Sequence, residues 1–249
     1  MWLSVNRWLF IIILAPLLLA KIGLAVDHPD LLAKADALYQ EREDLAKANQ
    51  AADLYRQAME VDPDQARSAW KLTRVLCWII DRSPEDHREA LAKEALAAAK
   101  EAVRLAPDDA RTHFWLGLAY VYYAETKGIL QGLSLKKPIL EAMETAIRLD
   151  PAFEGGAPYM VLGRLYFSIP MLLGGSKSKA TDYLEKAIQL GPRRWINHIY
   201  LAECYIHEGR EDEARQLLNQ VLAGPPEDEL TAEYQDWKRH AERLLKKLG

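Results

Sequence analysis

Cysteine is scarce in this chain, and its scarcity excludes whole classes of chemistry. Cys77 and Cys204 are the only two. They stand too far apart for a C-x-x-C redox pair or a clustered zinc site. An excess of one charge is also missing, with 32 Lys and Arg against 36 Asp and Glu. No basic face dominates, which argues against a nucleic-acid partner. The zinc-protease pattern H-E-x-x-H is absent, because residue 211 is Glu where a second His would be needed. His198, Cys204 and His207 share one predicted helix, but His198 falls on a packing position and is read as core rather than as a ligand. Carboxylates crowd loop-like stretches such as D-P-D-Q and P-P-E-D-E-L, and nothing sets a nucleophile beside a base. The expectation is a non-enzyme without cofactor or metal.

Long apolar runs are few as well. The longest is W-L-F-I-I-I-L-A-P-L-L-L-A, which follows Arg7 and ends before Lys21, with Gly23 and Ala25 ahead of Val26. That is the three-part layout of a secretory signal. Its thirteen residues fall short of the roughly 20 that cross a bilayer core. Residues 1–25 are therefore read as a signal peptide, with an uncleaved membrane anchor as the alternative. No cysteine lies near the cut to carry a lipid. The expected location is periplasmic or secreted; the anchored alternative is the inner membrane, with the rest of the chain outside the cytoplasm.

What the sequence has in abundance is repetition. Five segments share one ending: Ala51, Tyr55, Ala58 and Pro63; Ala95, Ala99, Ala102 and Pro107; Ile139, Met143, Ala146 and Pro151; Ala180, Leu184, Ala187 and Pro192; Ala214, Leu218, Val221 and Pro226. Offsets of four, three and five describe a buried helical stripe closed by a proline. Proline stops the helix because it lacks an N–H and restricts the residue before it. A second pattern follows four of the prolines: a Leu, a small residue beside it and a bulky one three further on. It reads Leu72-Thr73 and Leu76, Leu116-Gly117 and Tyr120, Leu162-Gly163 and Tyr166, then Leu201-Ala202 and Tyr205.

Together the two half-patterns resemble the tetratricopeptide (TPR) repeat, a helix pair that stacks into a superhelix. The implied fold is all-α: a right-handed solenoid of about five TPR-like helix pairs over residues 26–227, closed by a capping helix over 228–249. Leu230, Tyr234, Trp237, Ala241 and Leu244–Leu245 recur at helical spacing in that cap. The prolines lie 44, 44, 41 and 34 residues apart, against a family period of 34. Longer helices or enlarged turns must absorb the excess. One insertion, G-G-S-K-S-K at 174–179, looks like a phosphate loop. It lacks the G-x-x-x-x-G-K-[ST] order and a preceding strand, so it reads as an inter-helix turn whose serines start a helix.

The TPR resemblance also implies a concave face lined by the first helix of each pair. Its positions map to Trp70 and Arg74, Phe114 and Leu118, Met160 and Arg164, Ile199 and Glu203. One step further round come Cys77, Val121, Phe167 and Ile206. Two readings of this apolar list stand: a groove for a partner or a small hydrophobic or carboxylate ligand, with Arg74 and Arg164 as anion contacts, or residues buried against one another.

At family level, three stretches resemble the T component associated with tripartite ATP-independent periplasmic (TRAP) transporters. They are R-T-H-F-W-L-G-L-A-Y at 111–120, A-M-E-T-A-I-R-L-D-P at 142–151, and the segment from Leu162 through G-G-S-K-S-K to Ile188. That resemblance implies an exported, transport-associated scaffold that forms homo-oligomers, contacts a periplasmic solute-binding protein and holds a small hydrophobic ligand. The alternative function is a membrane-anchored adaptor for assembly or quality control of cell-envelope complexes.

Overall fold

The computed structural model describes residues 28–61, 64–225 and 230–249. Residues 1–25, read above as a signal or anchor, lie outside these, as do Pro63 and Pro226. Among the described residues the chain is all-helical, and no helix is long and apolar enough to cross a membrane.

Five helix pairs follow one another along the chain. They are α1 (His28–Gln40) with α2 (Leu45–Val61), α3 (Gln65–Arg82) with α4 (Glu85–Leu105), and α5 (Ala110–Glu125) with α7 (Lys136–Leu149). Then come α8 (Ala157–Ser168) with α9 (Lys177–Leu190) and α10 (Trp195–His207) with α11 (Glu211–Ala223). Within each pair the two helices pack directly on each other, and consecutive pairs stack through α2 on α3, α4 on α5, α7 on α8 and α9 on α10. The result is the superhelical solenoid that the repeat implies. A short α6 (Ile129–Ser134) interrupts the third pair, and α12 (Thr231–Lys247) ends the chain.

Local chemistry explains the boundaries. Asp109 starts α5 by accepting a hydrogen bond from the Arg111 amide (2.9 Å), and Ser176 starts α9 by accepting one from Lys179. Pro107, Pro151 and Pro192 each come right after the residue that caps α4, α7 or α9. Glu211, Asp212 and Glu213 open α11, where carboxylates oppose the positive end of the helix dipole.

The repeat positions meet as knob and hole. Thr73 donates its hydroxyl to the Ala95 carbonyl at 3.3 Å. A Cβ placed on Gly163 would lie 2.6 Å from Leu184 Cγ, and one on Gly117 2.3 Å from the Met143 methyl. The small residue of each first helix is thus seated on the stripe of its partner. Ala51, Ala58, Ala95, Ala99, Ala102, Ala146, Ala180, Ala187 and Ala214 have no exposed surface, so the helices approach to alanine distance along the whole stack.

The surplus spacing is absorbed in three ways. In the second pair the helices themselves are long, at 18 and 21 residues. In the third pair the insertion folds into α6. Between α8 and α9 the chain makes a 3-10 turn, Met171–Leu173, followed by Gly174 in the left-handed region (φ 85°). G-G-S-K-S-K is a connector.

Candidate functional site

Along α3, Trp70, Arg74, Trp78 and Arg82 follow one another at steps of four, which winds them slowly along one side of the helix. Around them the structure builds a ladder of alternating guanidinium groups and rings. Arg111 of α5 and Arg74 both sit over Trp70, at 4.9 and 5.2 Å. Arg74 also lies 3.9 Å from the centre of the Tyr39 ring, which carries Arg42 at 4.5 Å. Arg42 continues to Trp78 at 5.1 Å, and Trp78 carries Arg82 at 3.2 Å. Each such contact contributes about 0.5–2 kcal/mol, more as water is excluded.

The far end of the ladder is occupied by the chain itself. Glu233 and Asp236, one turn apart on α12, reach back across the molecule. Glu233 accepts two hydrogen bonds from Arg42, at 3.2 and 2.5 Å, and Arg42 is only 2 % exposed. Asp236 accepts one from Arg82 at 2.8 Å. Ala232 packs against the core of the first two helix pairs, while Tyr234, Ala241 and Leu244 bury themselves in that of the last. The capping helix therefore spans the opening between the two ends of the solenoid.

A second polar cluster joins α8, α10 and α12. Arg164 is ion-paired with Glu203 and sits over the Tyr200 ring at 4.7 Å. His240 of α12 lies 3.0 Å from the other Glu203 oxygen. Burial disfavours the Glu203 charge, yet the hydrogen bond from His240 and the pull of Arg164 hold its pKa below the usual glutamate value. Asp81 and Glu125 present solvent-exposed surface but are flanked by protein. This desolvation raises both carboxyl pKa values, against the hydrogen bond that Tyr122 donates to Asp81 (2.9 Å); for Glu125 the charge of Asp81 adds to it.

Among the positions expected to line the groove, Cys77, Phe114 and Ile199 are core residues, 4 %, 4 % and 0 % exposed. They pack against neighbours such as Phe153, which is 5.3 Å from Phe114. Trp70, Arg74, Leu118, Met160, Arg164, Phe167 and Glu203 are half-buried. Trp70 and Arg74 come together on the ladder, and Arg164 meets Glu203, so the Arg164 charge is already compensated. Sequence reasoning missed Trp78, Arg82, Asp81 and Glu125. The four-residue step from Arg74 was the available signal for the first two. Continuing the Cys77 and Val121 stripes by one turn reaches the others. Nothing in the sequence pointed to Glu233, Asp236 or His240.

A family model described as regulator of microtubule dynamics protein 1-3 matches residues 31–173 and 171–249. The chain belongs to that family. It is 25 % identical over 167 residues to regulator of microtubule dynamics protein 3 of Rattus norvegicus, an alignment that covers 60 % of this chain and 35 % of the relative. The chain thus spans about a third of the length of that curated relative. Among solved structures, TTC0263, a TPR protein of Thermus thermophilus, superposes with a TM-score of 0.66 at 23 % identity, covering 88 % of this chain and 99 % of its own. PilF of Pseudomonas aeruginosa gives 0.54 at 18 % identity, with 89 % and 93 % covered. These two likenesses establish the TPR fold and nothing further.

Membership in the regulator of microtubule dynamics family corrects the expected location. The matched relative is a rat protein, and an animal cell has no periplasm. Placement in the periplasm, secretion or a bacterial inner membrane is corrected accordingly, and the comparisons lend no support to an association with solute transport. The comparisons do not confirm the TRAP-associated T component; the family whose model matches is the regulator of microtubule dynamics one.

Proposed function

We propose that this chain is a non-catalytic, protein-binding scaffold serving the regulation of microtubule dynamics for which its family is named. Its docking surface is the arginine–aromatic ladder of α1, α3 and α5, and the occupant is a carboxylate-bearing segment of a partner protein. One observation supports this reading above the rest: α12 lays Glu233 and Asp236 on Arg42 and Arg82, an internal example of the contact proposed. The Arg74–Trp70–Arg111 end lies beyond these carboxylates. A guanidinium set against a ring keeps its N–H donors directed in a plane, which suits bidentate carboxylate binding. The apolar residues behind the ladder, including Phe114 and Cys77, serve as its rigid backing. A small hydrophobic ligand is the lesser reading, because these side chains already fill the space between helices.

Co-sedimentation with stabilised microtubules, together with the rate of tubulin polymerisation, tests the proposal. The wild-type chain is expected to bind and to change the rate. The double variant Arg74→Gln, Arg111→Gln should bind at least tenfold more weakly at a temperature well below its melt, with an unchanged helical spectrum and a melting temperature lowered only by the loss of its three ring contacts. Equal binding by that variant would remove the ladder from the function. Absence of any effect of the wild-type chain on microtubules or tubulin would remove the microtubule reading.

A further inference from the structure

The turn between α8 and α9 presents the most exposed apolar side chains among the described residues. Leu172 is 100 % exposed and Met171 81 %, with Leu173 at 41 %; the other large exposed hydrophobics reach at most 42 %. Such side chains are normally scattered singly, and a contiguous exposed group marks a contact surface. This one is held in place by its backbone. The Leu173 amide bonds to the Pro170 carbonyl at 2.9 Å, that of Gly174 to Met171 at 3.0 Å and that of Gly175 to Pro170 at 3.1 Å. The Ser176 amide bonds to the Tyr166 carbonyl at 3.0 Å. A Cβ on Gly175 would fall 1.8 Å from the Ile169 oxygen, so only glycine allows the turn to close this tightly. Lys136 reaches over from α7 to the Gly174 carbonyl at 2.6 Å.

The surroundings of the tip are basic and aromatic. Lys136 and Lys179 both lie over the Tyr166 ring, at 5.6 and 5.3 Å. Tyr166 stacks on Tyr183 at 5.7 Å. Lys177 bonds to the Phe167 carbonyl and caps its ring at 3.5 Å. Three carboxylates share this face: Asp182, in the recess with Lys179 and Lys186, Glu141, paired with Lys137 at 3.5 Å, and Glu144, whose charge acts on Tyr183. Lysines remain in excess around the tip.

We propose that this tip and its lysine–tyrosine collar form a docking surface for an anionic lipid bilayer. Met171 and Leu172 enter the acyl boundary, where their apolar surface leaves water. The tyrosines take the headgroup level, which suits a ring with a polar end. The lysines face phosphate and carboxylate headgroups within a Debye length. Charge complementarity and the three-residue apolar tip argue for a lipid surface over a protein groove, which would offer a rim for the collar and a cavity for each side chain.

The experiment uses the full chain carrying Leu172→Cys, labelled with the environment-sensitive fluorophore NBD. Cys77 and Cys204 are buried, so the label goes to position 172. Vesicles of three parts phosphatidylcholine to one part phosphatidylserine should raise the emission and shift it to the blue. Phosphatidylcholine alone should do so far less, and high salt should reverse it. A label at Ala97→Cys, on exposed α4, should stay silent. The unlabelled variant Met171→Ser, Leu172→Ser, Leu173→Ser should float with the anionic vesicles at least tenfold less than wild type and melt at the same temperature. Flotation is read at a lipid concentration where the wild-type chain is half bound, so that the apolar N-terminal run shared by both chains does not saturate the comparison. A silent label, or equal flotation of the serine variant, overturns the proposal. So does a lipid-free rise in emission with protein concentration, which would assign the tip to a second copy of the chain.

Discussion

A carboxylate's surroundings decide whether its charge helps or harms this fold, and the chain holds both cases. Glu203 is held ionised by His240 and Arg164, so its folded pKa lies below the ordinary value. Its contribution is present above pH 4.5 and is lost as pH falls through the depressed value. Glu125 is the reverse case. Desolvation, with the charge of Asp81 beside it, raises its pKa above the ordinary 4.5. The folded chain then holds the proton more tightly than the unfolded one, so ionisation at neutral pH costs stability. Glu125→Gln is expected to raise the urea midpoint at pH 7. The gain is no more than about 0.5 kcal/mol once solvent screening at its exposed surface is allowed for. It should shrink as the pH is lowered and vanish below about pH 4, which urea titrations at several pH values would show.

At the scale of helices, the small residues of the repeat control how closely each pair closes. Two of them look alike in sequence and differ in what they meet. A Cβ on Gly163 meets Leu184 Cγ at 2.6 Å and the Ala180 carbonyl oxygen at 3.1 Å. One is the branch point of a core side chain and the other is backbone, so neither swings away easily. A Cβ on Gly117 meets the terminal methyl of Met143, which a flexible side chain can move. Gly163→Ala should therefore cost about 1–3 kcal/mol from overpacking, partly offset by about 1 kcal/mol of helix propensity. Gly117→Ala should be near neutral or stabilising. Equal effects of the two in thermal melts would contradict the packing described here. The same scale explains how irregular spacing leaves the stack intact. Added residues lengthen α3 and α4, fold into α6 or form the turn before α9, and the alanine stripes stay in contact.

For the whole molecule, the decisive element is α12. Repeat arrays are open, each unit touching only its neighbours, whereas here the last helix returns to the first. The Arg42 guanidinium is almost wholly buried, and Glu233 is what balances it on the α12 side. Removing one partner of a buried pair leaves a charge to be solvated. The double change Glu233→Ala, Asp236→Ala should destabilise the chain by up to ~3 kcal/mol. Hydrogen exchange should rise first in the early turns of α12, while its later turns, anchored by Ala241 and Leu244, remain protected. Uniform loss of protection along α12 would mean that the contact with the first two helix pairs does not hold this end in place.

The amino-acid sequence by itself determined the paired helices, their pairing and that there are about five pairs; α6 it left undetermined. Those follow from short-range regularities: alanine stripes at offsets of three and four, prolines that cannot continue a helix, and a small residue facing each stripe. Trp70 and Arg74 were read in the same way; Trp78 and Arg82 were missed, although a step of four on one helix is local information that leads to them. The tertiary structure alone decided which of the expected groove residues, like Cys77, Phe114 and Ile199, fill the core and which stay half-buried. That choice depends on how far each pair rotates on the last, a sum of small packing angles that no local pattern encodes. It also decided that Glu233 lies on Arg42. Those two residues are 191 positions apart, and their contact exists only because the solenoid's curvature brings its ends within the reach of one helix.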